Sequence, residues 1–175
     1  KSTTIRTMLS LIKPTNGEIK MFGKDLAKER SYILSRIGCI VEKPDFYKYL
    51  SAQRNLEIFA RISGKDITKH QIQEMIDFVG LNGREGDKVS GFSHGMKQRL
   101  GIAQTLLHNP DVIILDDFGL QALDSHNRIT LLEIIEDRHN NGSIIVTSQI
   151  PVQGWYDIIG EKTIADAIFP FEWPP

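Results

Sequence analysis

The chain has 175 residues, of which 41% are hydrophobic and 25% charged, and its formal net charge at pH 7 is -1. These values are typical of one globular domain with a buried core, and the near-neutral charge gives no bulk argument for binding nucleic acid or an anionic membrane. The single cysteine, Cys39, excludes an internal disulfide and is typical of a reducing cytosol. No apolar run has the length of a membrane span, so any role at a membrane is expected to be peripheral.

The N-terminal part of the chain is predicted to alternate helix and strand. Residues 2–11 carry apolar side chains at helical spacing, and Pro14 follows as a stop signal. Residues 18–22 alternate in the way of a half-buried strand, and 37–41 form a second short apolar strand.

The middle of the chain is predicted to be helical. One helix is expected over 52–62 and another over 68–79. The second begins with a capping box, in which Thr68 is followed three residues later by Gln71. A further helix is expected to run from 93 to about 107.

An apolar run at 112–115 ends in two aspartates, which is typical of a parallel strand buried on both faces. A helix over 123–139 and another buried strand over 143–147 follow, whereas 169–175 show neither pattern. Strands that alternate with helices predict an α/β fold, here interrupted by a helical insertion at about 45–92.

The first residues, Lys1-Ser2-Thr3-Thr4, match the end of the phosphate-binding loop G-x-x-x-x-G-K-[ST]. In that loop the lysine reaches the β- and γ-phosphates, the next hydroxyl ligates Mg²⁺, and the amides of the following helix face the phosphates. A polar N-terminus that only caps a helix is the alternative. Because the chain opens at Lys1 rather than at methionine, we expect the glycines of the loop and the first strand to lie upstream.

A stronger motif lies at 92–100, which read FSHGMKQRL. It resembles the signature of ABC ATPases, usually Leu-Ser-Gly-Gly-Gln followed by basic residues, and the strand that ends in Asp116 follows it at the spacing of that family. The Ser93 hydroxyl and the amides around Gly95 would cradle an anion at a helix N-terminus. The alternative, in which Ser93 is only a helix cap, does not predict the downstream strand and aspartate.

The same resemblance implies roles for three carboxylates. Asp116 would be the Walker B residue that holds the magnesium shell. Asp117 stands where ABC proteins usually have a glutamate that polarises the attacking water, and it is one methylene shorter; paired aspartates that only cap a helix are the alternative. Glu42 follows the strand 37–41 at the place of the Q-loop glutamine, and 40–47 resemble the bacitracin-resistance type of ABC ATPase. A solvated loop charge explains Glu42 equally well.

After Asp116 the chain departs from the ABC pattern. Four segments resemble the IstB/DnaC-like transposition helper ATPases, over about 112–168: they lie at 117–124, 131–138, 147–149 and 159–168. In that family Thr147-Ser148-Gln149 would end the strand that senses the γ-phosphate, and in ABC proteins a switch histidine stands in the place of Gln149. We therefore expect a hybrid of two families, joined near Asp116, with impaired hydrolysis.

Together these resemblances imply an α/β fold of P-loop NTPase type, with a parallel sheet flanked by helices, a helical subdomain insertion and the first strand missing. The core is expected over 1–44 and 93–168, with the hybrid part after about 116. The helical subdomain is expected over 45–92, and an irregular tail over 169–175.

Three functions follow as hypotheses. The first is an ATPase subunit of an ABC transporter that uses ATP and Mg²⁺, pairs with a second ATPase subunit and contacts a membrane permease through 45–92, at the inner face of the cell membrane. The second is a DNA-transposition helper with DNA and a transposase as partners, against which the balanced charge is weak evidence. The third is a fragment without catalytic activity.

Overall fold

The computed structural model of the chain describes residues 2–40, 45–117, 125–151 and 154–160. Predicted features at Lys1, at Glu42, at 123–124 and beyond 160 lie outside the described residues. The elements in chain order are α1 (Ser2–Met8), β1 (Lys20–Met21), β2 (Lys24–Asp25), α2 (Arg30–Leu34), β3 (Ile37–Ile40), α3 (Ala52–Ser63), α4 (Lys69–Phe78), a 3₁₀ turn (Val89–Gly91), α5 (His94–Leu106), β4 (Val112–Leu115), α6 (Ser125–Asn141), β5 (Ser143–Val146) and α7 (Trp155–Ile159). None of the described helices has the length and apolar character that crossing a membrane requires.

The centre of the fold is a parallel sheet in the order β3-β4-β5. Val112 pairs with Ile37 on one side and with Ser143 on the other, so β4 is the middle strand. Ile113 and Ile114 of β4 are almost fully buried, as expected for a strand covered on both faces. Among the described strands β5 pairs only with β4. The predicted α/β architecture is confirmed.

The segment before β3 forms a small hairpin that the sequence only partly predicts. The strand expected over 18–22 is limited to Lys20–Met21 and pairs antiparallel with Lys24–Asp25. Phe22 and Gly23 make the turn, and both have positive φ angles, 53° and 73°. Such a turn suits the twist of a tight hairpin, and glycine adopts it at little cost.

Buried apolar residues join the N-terminal part to the sheet. One cluster contains Ile5 of α1, Ile33 of α2, Ile37 of β3 and Ile114 of β4. Ile5 is the buried residue of α1, so the first helix is joined to the sheet through this cluster. Burial of these apolar side chains away from water is the main contribution that this cluster makes to the stability of the fold.

A second apolar cluster holds α3, α4 and α5 together, with Leu56, Ile76 and Leu100 fully buried in it. The helix caps follow the sequence signals. Ser51 accepts a hydrogen bond from the Arg54 amide, and the capping box of Thr68 and Gln71 is present in full. Each such cap stabilises its helix by about 1 kcal/mol.

Helix α5 connects this helical cluster to the sheet. Its last turn contributes Leu106 to a third cluster with Ile113 of β4 and Ile134 of α6. On β3, a Cβ atom at Gly38 would lie 2.6 Å from the carbonyl oxygen of Thr105. Only glycine therefore permits α5 to approach β3 this closely.

An ion pair fixes the starts of β3 and β4. The Arg36 Nε donates to Asp111 Oδ2 at 2.7 Å, and the Arg36 guanidinium lies 4.0 Å from the centre of the Phe22 ring. The hydrogen bond from Arg36 lowers the pKa of Asp111. Because Arg36 directly precedes β3 and Asp111 directly precedes β4, the pair joins the starts of two neighbouring strands.

Candidate nucleotide-binding site

The carboxyl ends of the parallel strands bring polar residues to one edge of the sheet. The ladder continues one residue beyond β4 and β5, since the Asp116 amide donates to Ile40 at 3.0 Å and the Thr147 amide donates to Leu115 at 2.9 Å. Ligands of open α/β sheets bind at this edge. The two predicted aspartates therefore lie where an α/β protein is expected to hold its ligand.

The two carboxylate oxygens of Asp116 have different surroundings. Oδ1 accepts hydrogen bonds from the Thr147 hydroxyl and, at 3.1 Å, from the Asp117 amide. Oδ2 is buried and accepts no hydrogen bond from any residue that the structure describes. A buried carboxylate oxygen without a donor is energetically costly, so Oδ2 is suited to a bound cation or a ligand-borne donor.

The following residue, Asp117, has a left-handed backbone with φ of 57°. Aspartate tolerates this conformation better than most residues, yet it still carries strain, and strained residues cluster at functional sites. Its side chain accepts a hydrogen bond from Gln149 Nε2 at 3.0 Å. The structure thus brings together three predicted site residues, Asp116, Asp117 and Gln149.

Cys39 of β3 lies near this edge. Burial raises the pKa of the Cys39 thiol to about 12, and the negative charge of Asp116 adds to the shift. The thiol is therefore protonated and unreactive at neutral pH.

A magnesium site at this edge agrees with the donors present. Within the described parts of the chain, no group of three or more His, Cys, Asp or Glu side chains is placed to hold a metal ion. Mg²⁺ does not need one, because in nucleotide sites it usually takes one or two carboxylates and completes its shell with phosphate and water oxygens. The free Oδ2 of Asp116 fits that requirement.

The remaining predicted residues occupy other places. Ser2 and Thr3 form the first turn of α1, while Lys1 and Glu42 lie outside the described residues. Ser93 is the N-cap of α5 and accepts from the Met96 amide at 3.2 Å. The structure therefore gives the exposed Ser93 a capping role in the helical cluster.

Sequence reasoning placed Thr147 at the end of the strand expected to sense the γ-phosphate, but it did not foresee the contact of Thr147 with Asp116. The available signal was positional: Thr147 follows the apolar strand Ser143–Val146 in the way that Asp116 follows Val112–Leu115. Parallel strands in that register place the two residues side by side. The hydrogen bond itself needed the three-dimensional register.

Two family models match the chain. The model described as "ABC transporter" matches residues 1–118, and the model described as "IstB-like ATP binding protein" matches residues 93–170. The two matches overlap over residues 93–118, which include α5 and β4. The second match supports part of the resemblance predicted after Asp116.

The curated relatives of the chain are also ATP-binding proteins of transporters. The chain is 51% identical over 152 residues to the bacitracin transport ATP-binding protein BcrA of Bacillus licheniformis, covering 86% of this chain and 49% of the relative. It is 41% identical over 171 residues to the uncharacterized ABC transporter ATP-binding protein YcbN of Bacillus subtilis, covering 96% of this chain and 52% of the relative. Similarity to ABC proteins thus extends beyond Asp117. The chain spans about half the length of these relatives.

A further relative is covered more fully. The chain is 35% identical over 163 residues to the lantibiotic transport ATP-binding protein SrtF of Streptococcus pyogenes, covering 91% of this chain and 69% of the relative.

Solved structures confirm the P-loop NTPase-type fold. The ATP-binding subunit of an ABC transporter superimposes with a TM-score of 0.75 at 26% identity, over 88% of this chain and 65% of that one. A dimeric ATP-binding cassette in a post-hydrolysis state with ADP and Pi gives 0.71 at 22% identity, over 85% and 69%. The chain belongs to the ABC transporter family, among its ATP-binding proteins.

Proposed function

We propose that this chain is the nucleotide-binding part of an ABC transporter subunit and that Mg–ATP binds at the sheet edge formed by Asp116 and Asp117. The observation that carries the proposal is the buried Asp116 Oδ2, which accepts no hydrogen bond from the described residues. The family match over 1–118 and the transport relatives support the same function.

Each proposed site residue has one task. Lys1 and Thr3 contact the phosphates, Ser2 and Asp116 supply oxygens to Mg²⁺, and Asp117 orients the attacking water. A Mg²⁺ ion held by these oxygens would supply neutralisation of the charge on the phosphate oxygens.

Two further residues complete the catalytic set. Glu42, which follows β3 in the sequence, would take the place of the Q-loop glutamine, and Gln149 would take the place of the switch histidine. Because Asp117 is one methylene shorter than the usual glutamate, we propose that hydrolysis is slow.

The proposed assembly uses two copies and a membrane partner. Ser93 and Gly95 of one subunit face the nucleotide of the other, and one solved neighbour is a dimer. The subdomain 45–92 contacts a permease at the inner face of the cell membrane, while 1–44 and 93–168 form the core and 169–175 the tail. The helix cap at Ser93 leaves its side chain at the surface, which is compatible with this arrangement.

A second candidate is an ATP-dependent DNA-transposition helper. The observation that favours it is the match of the IstB-like model to residues 93–170. We propose on this basis that the chain is a hybrid that joins the two families near Asp116. Salt-sensitive binding of duplex DNA by the purified chain would favour the helper function, and an uninterrupted ABC sequence across this point in the source gene would refute the hybrid.

The test of the main proposal is the melting temperature of the purified chain as Mg–ATP is added. A ligand that binds only the folded state raises the melting temperature in proportion to the logarithm of its concentration. We expect a rise with Mg–ATP and a smaller one with ATP and a chelator. No rise in a folded sample would refute nucleotide binding by this chain.

A further inference from the structure

Thr147 and Asp116 are neighbours because of the strand register. Leu115 of β4 pairs with Val146 of β5, so the next residue of each strand emerges at the same edge. The Thr147 amide donates to the Leu115 carbonyl at 2.9 Å, and the Thr147 hydroxyl donates to Asp116 Oδ1. Backbone pairing thus holds the hydroxyl in place against the carboxylate.

This contact makes the two oxygens of Asp116 unequal. Oδ1 accepts two hydrogen bonds, from the Thr147 hydroxyl and the Asp117 amide, and its lone pairs are occupied. Oδ2 accepts none from the described residues although it is buried. A carboxylate held in this way can rotate only by breaking both bonds to Oδ1.

We infer that Thr147 is a positioning residue for Asp116, which fixes the carboxylate so that Oδ2 is the oxygen offered to the cation of Mg–ATP. The inference rests on the proposed function and deepens it. Groups that hydrogen-bond a metal-ligating carboxylate set its orientation, and their loss typically lowers metal affinity about 10- to 100-fold. Thr147 would act on the metal through Asp116 and would touch neither nucleotide nor metal.

The test compares nucleotide binding with and without metal. ATP is titrated into the full chain in excess Mg²⁺ and again in a chelator, and the ratio of the two apparent affinities measures the contribution of the metal. In Thr147→Val, which keeps the side-chain shape and loses the hydroxyl, we expect this ratio to fall about tenfold. Thr147→Ser keeps the hydroxyl and should keep the ratio.

A matched control is Thr105→Val in α5. The Thr105 hydroxyl donates to the Gly101 carbonyl at 2.9 Å and is buried, but it lies within its own helix. This variant measures the effect of losing a buried hydroxyl on stability alone, so its ratio should equal that of the wild type. If Thr147→Val does not fold, Thr147→Ala gives the same comparison without the added methyl group.

The outcomes separate the two claims. If the wild-type chain binds Mg–ATP and both Thr147→Val and Thr147→Ala have the wild-type ratio of affinities with and without Mg²⁺, the role of Thr147 is overturned. The proposed function is then unaffected. A folded wild-type chain that binds ATP neither with Mg²⁺ nor in chelator overturns both. A ratio that falls in Thr147→Val and stays at the wild-type value in Thr147→Ser supports the inference.

Discussion

Gln149 Nε2 donates a hydrogen bond to Asp117 Oδ1 over 3.0 Å, which joins the segment after β5 to the segment after β4. The backbone amide of Asp117 also donates a hydrogen bond to Asp116 Oδ1. The backbone of Asp117 has a left-handed φ of 57°. Gln149 therefore restrains the carboxylate that we propose orients water.

Loss of this restraint should affect turnover more than nucleotide binding. For Gln149→Leu we expect the single-turnover rate of ATP hydrolysis to fall about 10- to 100-fold, because a small misplacement of a reacting group has a cost of this size. The apparent affinity for Mg–ATP should change less than threefold, roughly.

The control for Gln149→Leu is Gln73→Leu on α4. Gln73 Nε2 donates to Asp77 Oδ1, also at 3.0 Å, but at an exposed helix surface. The single-turnover rate of ATP hydrolysis by Gln73→Leu should equal that of the wild type. Equal rates for both variants and the wild type would contradict a role for Gln149.

Lengthening the side chain of Asp117 should speed hydrolysis. Asp117→Glu adds the methylene by which Asp117 is shorter than the residue usual in ABC proteins, so the carboxylate reaches further towards the water. We expect the single-turnover rate to rise about tenfold, with a loss of up to about 1 kcal/mol in stability because glutamate tolerates a positive φ less well than aspartate. A slower Asp117→Glu variant that binds Mg–ATP normally would refute the proposal of impaired hydrolysis.

The Cys39 thiol should resist alkylation until the chain unfolds. Because the pKa of Cys39 is raised to about 12, the reactive thiolate is scarce at pH 8 in the folded state. Mass spectrometry after iodoacetamide treatment should show an unmodified native chain and a fully modified chain in urea. Rapid modification of the native chain would contradict the raised pKa of the half-buried Cys39 thiol.

The same shift gives a pH dependence of stability. The folded state holds the thiol proton more tightly than the unfolded state, so its contribution is present below the unfolded pKa of about 8.5 and is lost as the pH rises towards about 12. Urea unfolding between pH 8 and 11 should show a decline in the free energy of unfolding that Cys39→Ala reduces. An unchanged slope in Cys39→Ala would assign the decline to other groups.

A buried arginine should contribute more to stability than a surface one. Arg138 of α6 is 7% exposed; it donates to the Pro110 carbonyl and, at 3.1 Å, to Asn109 Oδ1. Replacement by methionine removes both donors from the turn that precedes β4. We expect Arg138→Met to lower the free energy of unfolding by about 2 kcal/mol or more.

The matched variant is Arg84→Met, which removes the surface ion pair of Arg84 with Asp87. Exposed pairs of this kind contribute about 0 to 1 kcal/mol. Chemical denaturation of the two variants measures the difference. Equal losses would mean that the Arg138 contacts do not hold α6 to the turn.

The sequence predicts those parts of the fold whose signals are local. The apolar run before Asp116 indicates a buried strand, and Thr68 with Gln71 indicates a helix start; both are present as expected. The hairpin β1–β2 and helix α2 were not fully predicted, because strands of two residues and a helix of five carry too little periodicity to be recognised.

In the candidate site, too, the residues with local sequence signals could be predicted and their distant partners could not. The types of its carboxylates are readable from the sequence, since Asp116 and Asp117 end an apolar strand. Their partners are not, because Thr147 and Gln149 are about thirty residues further on, and only the parallel register of β4 and β5 brings them to the same edge. Arg138 likewise reaches Pro110 across 28 positions of sequence.

The most direct test of nucleotide binding at this edge is calorimetric titration of Mg–ATP into the wild-type chain and into Asp116→Asn, with the surface variant Asp66→Asn as the control. If Asp116 Oδ2 supplies an oxygen to the metal, the wild type and Asp66→Asn should bind alike and Asp116→Asn about tenfold more weakly or worse. Equal binding by Asp116→Asn and the wild type, or no binding by a folded wild-type chain, would contradict the proposed site.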